Sequence, residues 1–136
     1  MAAEVVESSL ALTAEVKGDL KTVIAKVTEE LKQQGFGVLT SIDVTATLKA
    51  KINEDFRPYV ILGACNPKFA HKTLSLDDNV GLLLPCNVVV EQVNDDLCKV
   101  KAINPKALIG FLQNPALTDI ANDAYEKLSQ AMANIK

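Results

Sequence analysis

Cys86-Asn87-Val88-Val89-Val90-Glu91-Gln92-Val93-Asn94-Asp95-Asp96-Leu97-Cys98-Lys99-Val100-Lys101-Ala102-Ile103 decides the fold. Two β-rich runs flank Asn94-Asp95-Asp96, a cluster of turn formers, which is the pattern of a hairpin. A three-residue turn sets Val90 opposite Val100 and Glu91 opposite Lys99, an apolar pair and an ion pair on opposite faces. Slipping by one residue would set Glu91 against Val100, so the first register is preferred. Cys98 alternates with Val100 and Ala102, away from Lys99 and Lys101, and belongs to the core.

Outward from the hairpin, residues 8–16 read as a first strand. Val16, Leu20, Val23, Ile24, Val27 and Leu31 recur at steps of three and four, the apolar stripe of a helix, and Gly35 ends it in the left-handed conformation. Phe36 to Ile42 reads as a strand, with Asp43 capping a short helix to about Ile52. Tyr59 to Ala64 is an interior strand. Val80 to Leu84 reads as another, broken by Pro85. Asn66-Pro67, Asn104-Pro105 and Asn114-Pro115 read as helix starts, because Asn caps first-turn amides and Pro at the first position lacks one. Leu117, Ile120, Ala121, Ala124, Leu128, Ala131 and Ile135 form a closing amphipathic helix. Hairpins and helices mixed without strict alternation predict an α+β fold, two layers deep, with helices on one face of a largely antiparallel sheet.

The chain has 136 residues and no linker, repeat or low-complexity segment, so 1–136 is read as one domain. With no Trp, four Phe and two Tyr, the core must be aliphatic. A net charge of −3 and a single Arg, Arg57, argue against a nucleic-acid partner, which needs clustered cations to neutralise phosphates. Met1 to Leu10 carries Glu4 and Glu7 and no basic region, so it does not read as a signal peptide. No apolar run approaches the roughly 18 residues of a membrane span. Three cysteines cannot complete a disulfide framework, and a reducing cytoplasm is the expected compartment.

Three segments carry a family signature: Gln34-Gly35-Phe36-Gly37-Val38-Leu39-Thr40, Ile61-Leu62-Gly63-Ala64-Cys65-Asn66-Pro67, and Gly81-Leu82-Leu83-Leu84-Pro85-Cys86-Asn87-Val88-Val89-Val90. In order and spacing the chain resembles the domain of unknown function 302 family from about residue 8 to 134. That resemblance implies a layout similar to TATA-binding-protein-like domains and a homodimer. It implies no activity, and the fold likeness does not bring DNA binding with it.

Cys65 and Cys86 both stand at strand boundaries beside Asn and Pro. Cys65 leads into a helix start, where free amides and the helix dipole favour a thiolate. The expected site is a pocket lined by Cys65, Asn66, Pro67, Leu84, Pro85, Cys86 and Asn87, taking a small molecule, a thiol or other sulfur species, or a metal. Against it stands the reading of both cysteines as small buried hydrophobes. His71 with Cys65 and Cys86 would make a three-ligand metal set, though Cys-x5-His-x14-Cys lacks the short spacings of zinc motifs. Asn66 and Asn87 could orient an anion, but capping and turn formation explain them too.

Catalytic templates are missing. Gly35-Phe36-Gly37 follows a helix and precedes a strand, the reverse of a dinucleotide loop, and lacks the third glycine. There is no phosphate-binding loop, no His-Glu-x-x-His and no Gly-x-Ser-x-Gly elbow. Asp77-Asp78 and Asp95-Asp96 are turn carboxylates, and Glu29-Glu30 lies on a solvated helix face. No cofactor is expected. Three readings follow: a homodimeric small-ligand-binding module, an interaction or scaffold protein with inert core cysteines, and a thiol-dependent enzyme using Cys65, which the residues favour least.

Overall fold

The computed structural model describes residues 4–135; the first three residues of the Met1–Leu10 segment, and Lys136, lie outside it. Six strands form one antiparallel sheet: β1 (Val5–Glu7), β2 (Ala11–Lys17), β3 (Gly37–Asp43), β4 (Tyr59–Cys65), β5 (Cys86–Asn94) and β6 (Leu97–Ile103), in the order β1-β2-β6-β5-β4-β3. Among the described residues five α-helices accompany it: α1 (Leu20–Gln33), α2 (Val44–Ile52), α3 (Pro67–Leu76), α4 (Lys106–Leu112) and α5 (Thr118–Asn134).

The core follows from the two periods of the sequence. Leu12, Ala14 and Val16 of β2, Val60, Leu62 and Ala64 of β4, Val88 and Val90 of β5, and Cys98, Val100 and Ala102 of β6 alternate inward. Val23, Val27 and Leu31 of α1, and Leu128, Ala131 and Met132 of α5, close over them. Each fully buried aliphatic side chain contributes roughly 1.5–3 kcal/mol relative to exposure. α1 and α5 therefore lie over one sheet face, and the α+β expectation holds.

Helix ends follow local chemistry. Asp19 caps α1 through the Thr22 amide, and Asp43 caps α2 through that of Ala46. Gly35, at φ 83°, ends α1 in the left-handed region; its amide and that of Phe36 close on the Lys32 and Leu31 carbonyls.

The hairpin register is the expected one: Val90 pairs with Val100 and Glu91 with Lys99. The ion pair, however, runs diagonally. Lys101 Nζ lies 2.8 Å from Glu91 Oε2, and Arg57 Nε lies 3.5 Å from Oε1. Arg57 in turn stacks over Phe56 at 4.5 Å and Tyr59 at 5.6 Å, so Glu91 is only 6% exposed on the side of the sheet away from α1 and α5. Burial works to raise the Glu91 pKa, but the two cations prevail and hold its carboxyl below its ordinary value.

Three expectations are corrected. The first strand is two, β1 and β2, separated at Ser8, whose hydroxyl accepts the Ala11 amide. Val16 belongs to β2 and not to α1; its place in the helical spacing is a coincidence across Gly18, whose φ of 128° breaks the chain direction. Residues 80–84 are not a strand but lie within a 3-10 turn over Asp78–Leu83 and its cap Leu84. Asp77 accepts the Asn79 amide and turns the chain before any sheet partner is reached. A short apolar run does not fix its own period. Of the three Asn-Pro pairs, Asn66 caps α3 directly, Asn104 accepts the Lys106 amide at the start of α4, and Asn114 opens a 3-10 turn leading into α5.

Candidate functional site

At one end of the sheet the packing leaves an apolar cavity of about 60 Å³. Ala64 and Cys65 at the end of β4, Cys86 at the start of β5, and Phe36 form its floor. Asn66, Phe69, Ala70 and Thr73 supply the wall from α3, while Val80 and Leu84 come from the turn after it. Leu108, Ile109 and Leu112 of α4 face Leu117, Ile120, Ala121 and Ala124 at the start of α5. Among the described residues no charged side chain borders it.

Two of its polar side-chain atoms are committed elsewhere. Asn66 Oδ1 accepts the Lys68 and Phe69 amides at 3.1 and 3.3 Å. Thr73 donates to the Phe69 or Ala70 carbonyl, at 2.9 and 3.1 Å. The amides expected to favour a Cys65 thiolate are thus occupied by the Asn66 cap, which removes the main argument for a nucleophile there.

Ala64 pairs with Cys86, so Cys65 stands one residue beyond that pair, in the alternate row of β4, whereas Cys86 heads the inward row of Val88 and Val90. Both cysteines border one cavity, but from different rows. Burial, with a smaller push from Cys65, raises the Cys86 thiol to about 11, so it is a neutral group at neutral pH. Cys98 is fully buried, its Sγ 3.4 Å from the Gly18 carbonyl, and burial raises its pKa as well.

The other expected site residues divide around this cavity. Cys65, Asn66, Leu84 and Cys86 border it. Pro85 and Asn87 instead line a shallow groove on the far side of Leu84, with Leu82, Leu83, Ile103, Ala107, Leu108 and Phe111. Gly63 lets Pro85 lie close: a Cβ there would run into the Thr40 hydroxyl and approach Pro85 Cγ to 2.7 Å. Pro67 is exposed at the first position of α3.

The metal set does not assemble. His71 is exposed on α3, and among the described residues no three His, Cys, Asp or Glu side chains come together to hold an ion. The α5 side of the cavity, Leu117, Ile120, Ala121 and Ala124, was legible only as a packing stripe, and the α4 wall was not foreseen at all. The visible signal of α4 is Ala107-Leu108-Ile109-Gly110-Phe111-Leu112, a run apolar all round, which a short surface helix has no reason to be.

Among the described residues no helix is long and apolar enough to cross a membrane. No curated protein matches the chain. A crystal structure of an uncharacterized conserved DUF302 protein from Bacillus stearothermophilus is 36% identical to it. The two superpose with a TM-score of 0.85, covering 93% of this chain and 98% of that one. The family model described as domain of unknown function DUF302 matches residues 12–135, and with it the three segments that border the cavity and groove, so the chain belongs to the DUF302 family.

Proposed function

We propose that this protein is a homodimeric module that binds a small, neutral, apolar ligand in the cavity between the sheet end and α3–α5. The observation that carries this reading is the lining itself. A charged ligand would be stripped of water with nothing to pair it, at a cost that excludes it. The Asn66 oxygen and Thr73 hydroxyl are already spent on helix bonds, and the Cys86 thiol is neutral. What remains is a dry, soft surface of Phe36, Phe69, Leu and Ala side chains with thiols at its edge. An engineered apolar cavity of roughly 150 Å³ stays dry and admits benzene or xenon. At about 60 Å³ this one suits a few heavy atoms or the end of a chain, unless α4 moves outward.

A scaffold reading, with cysteines as inert packing, draws support from Cys98, sealed in the core and remote from the cavity lining. The two readings separate on one measurement. Xenon under pressure should produce saturable chemical-shift changes confined to resonances of residues such as Ala64, Phe69 and Leu108. Ala121→Leu, which fills the space, should abolish them. Changes that never saturate, or that spread evenly over the surface, would leave only the scaffold.

A further inference from the structure

We infer that α4 is the lid of the apolar cavity, a segment that swings between two fixed Asn-Pro anchors to admit apolar molecules. The inference rests on the ligand reading of the cavity above and adds the route of entry. Both ends of the segment are tied. At one, Asn104 and Pro105 are buried; the Asn104 main-chain amide donates to the Leu10 carbonyl at 2.7 Å, and its side-chain amide to that of Ser8 at 3.0 Å. At the other, Asn114 Oδ1 accepts the Ala116 amide, its Nδ2 donates to Asp77, and Leu117 is buried. Between these anchors, from 106 to 116, no residue is buried. Lys106 Nζ lies 3.8 Å over the Tyr125 ring. Past it, among the described residues, no hydrogen bond or ion pair joins residues 107–113 to another element. Apolar contact alone holds the segment down, and the void beneath Leu108, Ile109 and Leu112 removes part of that contact.

The helix is also weak in itself. Its seven residues fall short of the roughly 12–15 that an isolated helix needs. Gly110 in its middle weakens it about fivefold against alanine. No close approach requires that glycine, since a Cβ there would meet nothing within 4 Å. Gln113 ends the helix at φ 52°, in the left-handed region that favours glycine. The other walls are tied down. Phe69 of α3 packs against the core with its ring centroid 6.3 Å from that of Phe36, Val80 of the following turn is buried, and α5 sends Leu128, Ala131 and Met132 into the core. Among the walls, α4 alone has neither a buried side chain nor one packed against the core. Local opening begins where buried contacts are fewest, so α4 opens while the rest stays folded. Displacing it removes one wall, which extends the admitted class to uncharged apolar chains longer than the closed void of about 60 Å³ can hold.

Hydrogen exchange and thiol labelling test the lid without any ligand. In the unaltered protein the amides of Gly110 to Gln113 should exchange together, ahead of those of Ala124 to Leu128 in α5. Their rates should hardly change in low urea, because the opening exposes little surface. Ala121→Cys places a thiol on the cavity wall that faces α4. Its labelling, read site by site by mass spectrometry, should run far ahead of Cys98, which is sealed in the core. Adding Gly110→Ala should slow both α4 exchange and labelling of that thiol about fivefold. Gln113→Gly should slow both in the same direction. If Ala121→Cys fails to fold, Ala124→Cys on the same wall replaces it; if neither folds, α4 exchange in the unaltered protein and in Gly110→Ala decides. Exchange in α4 no faster than in α5 overturns the lid. So does labelling indifferent to Gly110→Ala while α4 exchange slows, since the thiol is then reached by another route. Saturable xenon shifts with α4 shut would defeat the lid and keep the ligand reading; labelling that follows α4, with xenon shifts that never saturate, would do the reverse.

Discussion

The two halves of α5 lie against different neighbours. Towards its end, Leu128, Ala131 and Met132 pack onto the sheet and α1, with Leu12, Val27, Leu31 and Val100 buried in the same cluster. Towards its start, Ala121 and Ala124 face Ala64, Ala70 and Cys86, and a void remains among them. Hydrophobicity is much the same at the two ends; side-chain volume is not. Large residues from both layers meet at the closed end, whereas at the open one Ala64, Ala70, Ala121 and Ala124, from three elements, stand between larger side chains such as Phe36, Phe69 and Leu108. The difference teaches that the cavity opens where these small side chains keep the larger ones around them from meeting.

Several substitutions would break or sharpen that contrast. The largest effect is expected from Leu128→Ala at the closed end, which should cost about 2–5 kcal/mol by urea unfolding, since the removed volume has no way to collapse. Leu108→Ala, half-buried beside the void, should cost clearly less; equal losses would mean the two ends are packed alike. The reverse substitution follows. Ala131→Leu forces atoms into filled space and should cost about 1–3 kcal/mol, while Ala121→Leu enters the cavity and should stay within about 1 kcal/mol of the unaltered chain. Thermal melts of the pair would show it, and matching destabilisation would argue that the cavity closes in solution.

The smallest effect concerns pH. The Glu91 pKa is lowered in the folded chain by Lys101 and Arg57 against the pull of burial. A depressed folded value contributes stability above the unfolded carboxyl value of about 4.3, and that contribution is lost as pH falls through the folded value. Stability of the unaltered protein should therefore fall more steeply in that acid window than that of Glu91→Gln. Glu91 lies on the sheet face opposite α5, so the same slope should appear in Leu128→Ala. A changed slope there would show that the two faces are coupled.

Much of the fold was legible because it rests on local rules. The alternation of Val88, Val90, Val100 and Ala102 determined the hairpin register, and Asp43 and Asn66 announced their helices through side-chain caps. The ion pair of Glu91 was legible only in part. The directly opposite residue is Lys99, but Lys101 reaches it along the diagonal, and Arg57 arrives from a segment more than thirty positions away. The site was legible to the same degree. The two cysteine segments do border one cavity, yet Pro85 and Asn87 lie beyond Leu84, and His71 stands on the solvent side of α3.

Periodicity, caps and turn residues act within a few positions, so the sequence by itself determined the elements, the antiparallel pairing and the apolar faces. Only the tertiary structure decided that Ala64, Ala70, Ala121 and Ala124 meet across a void and that α4 carries one apolar side inward and the other out. Those outcomes depend on how volumes from distant segments fit together, and no local pattern records the fit.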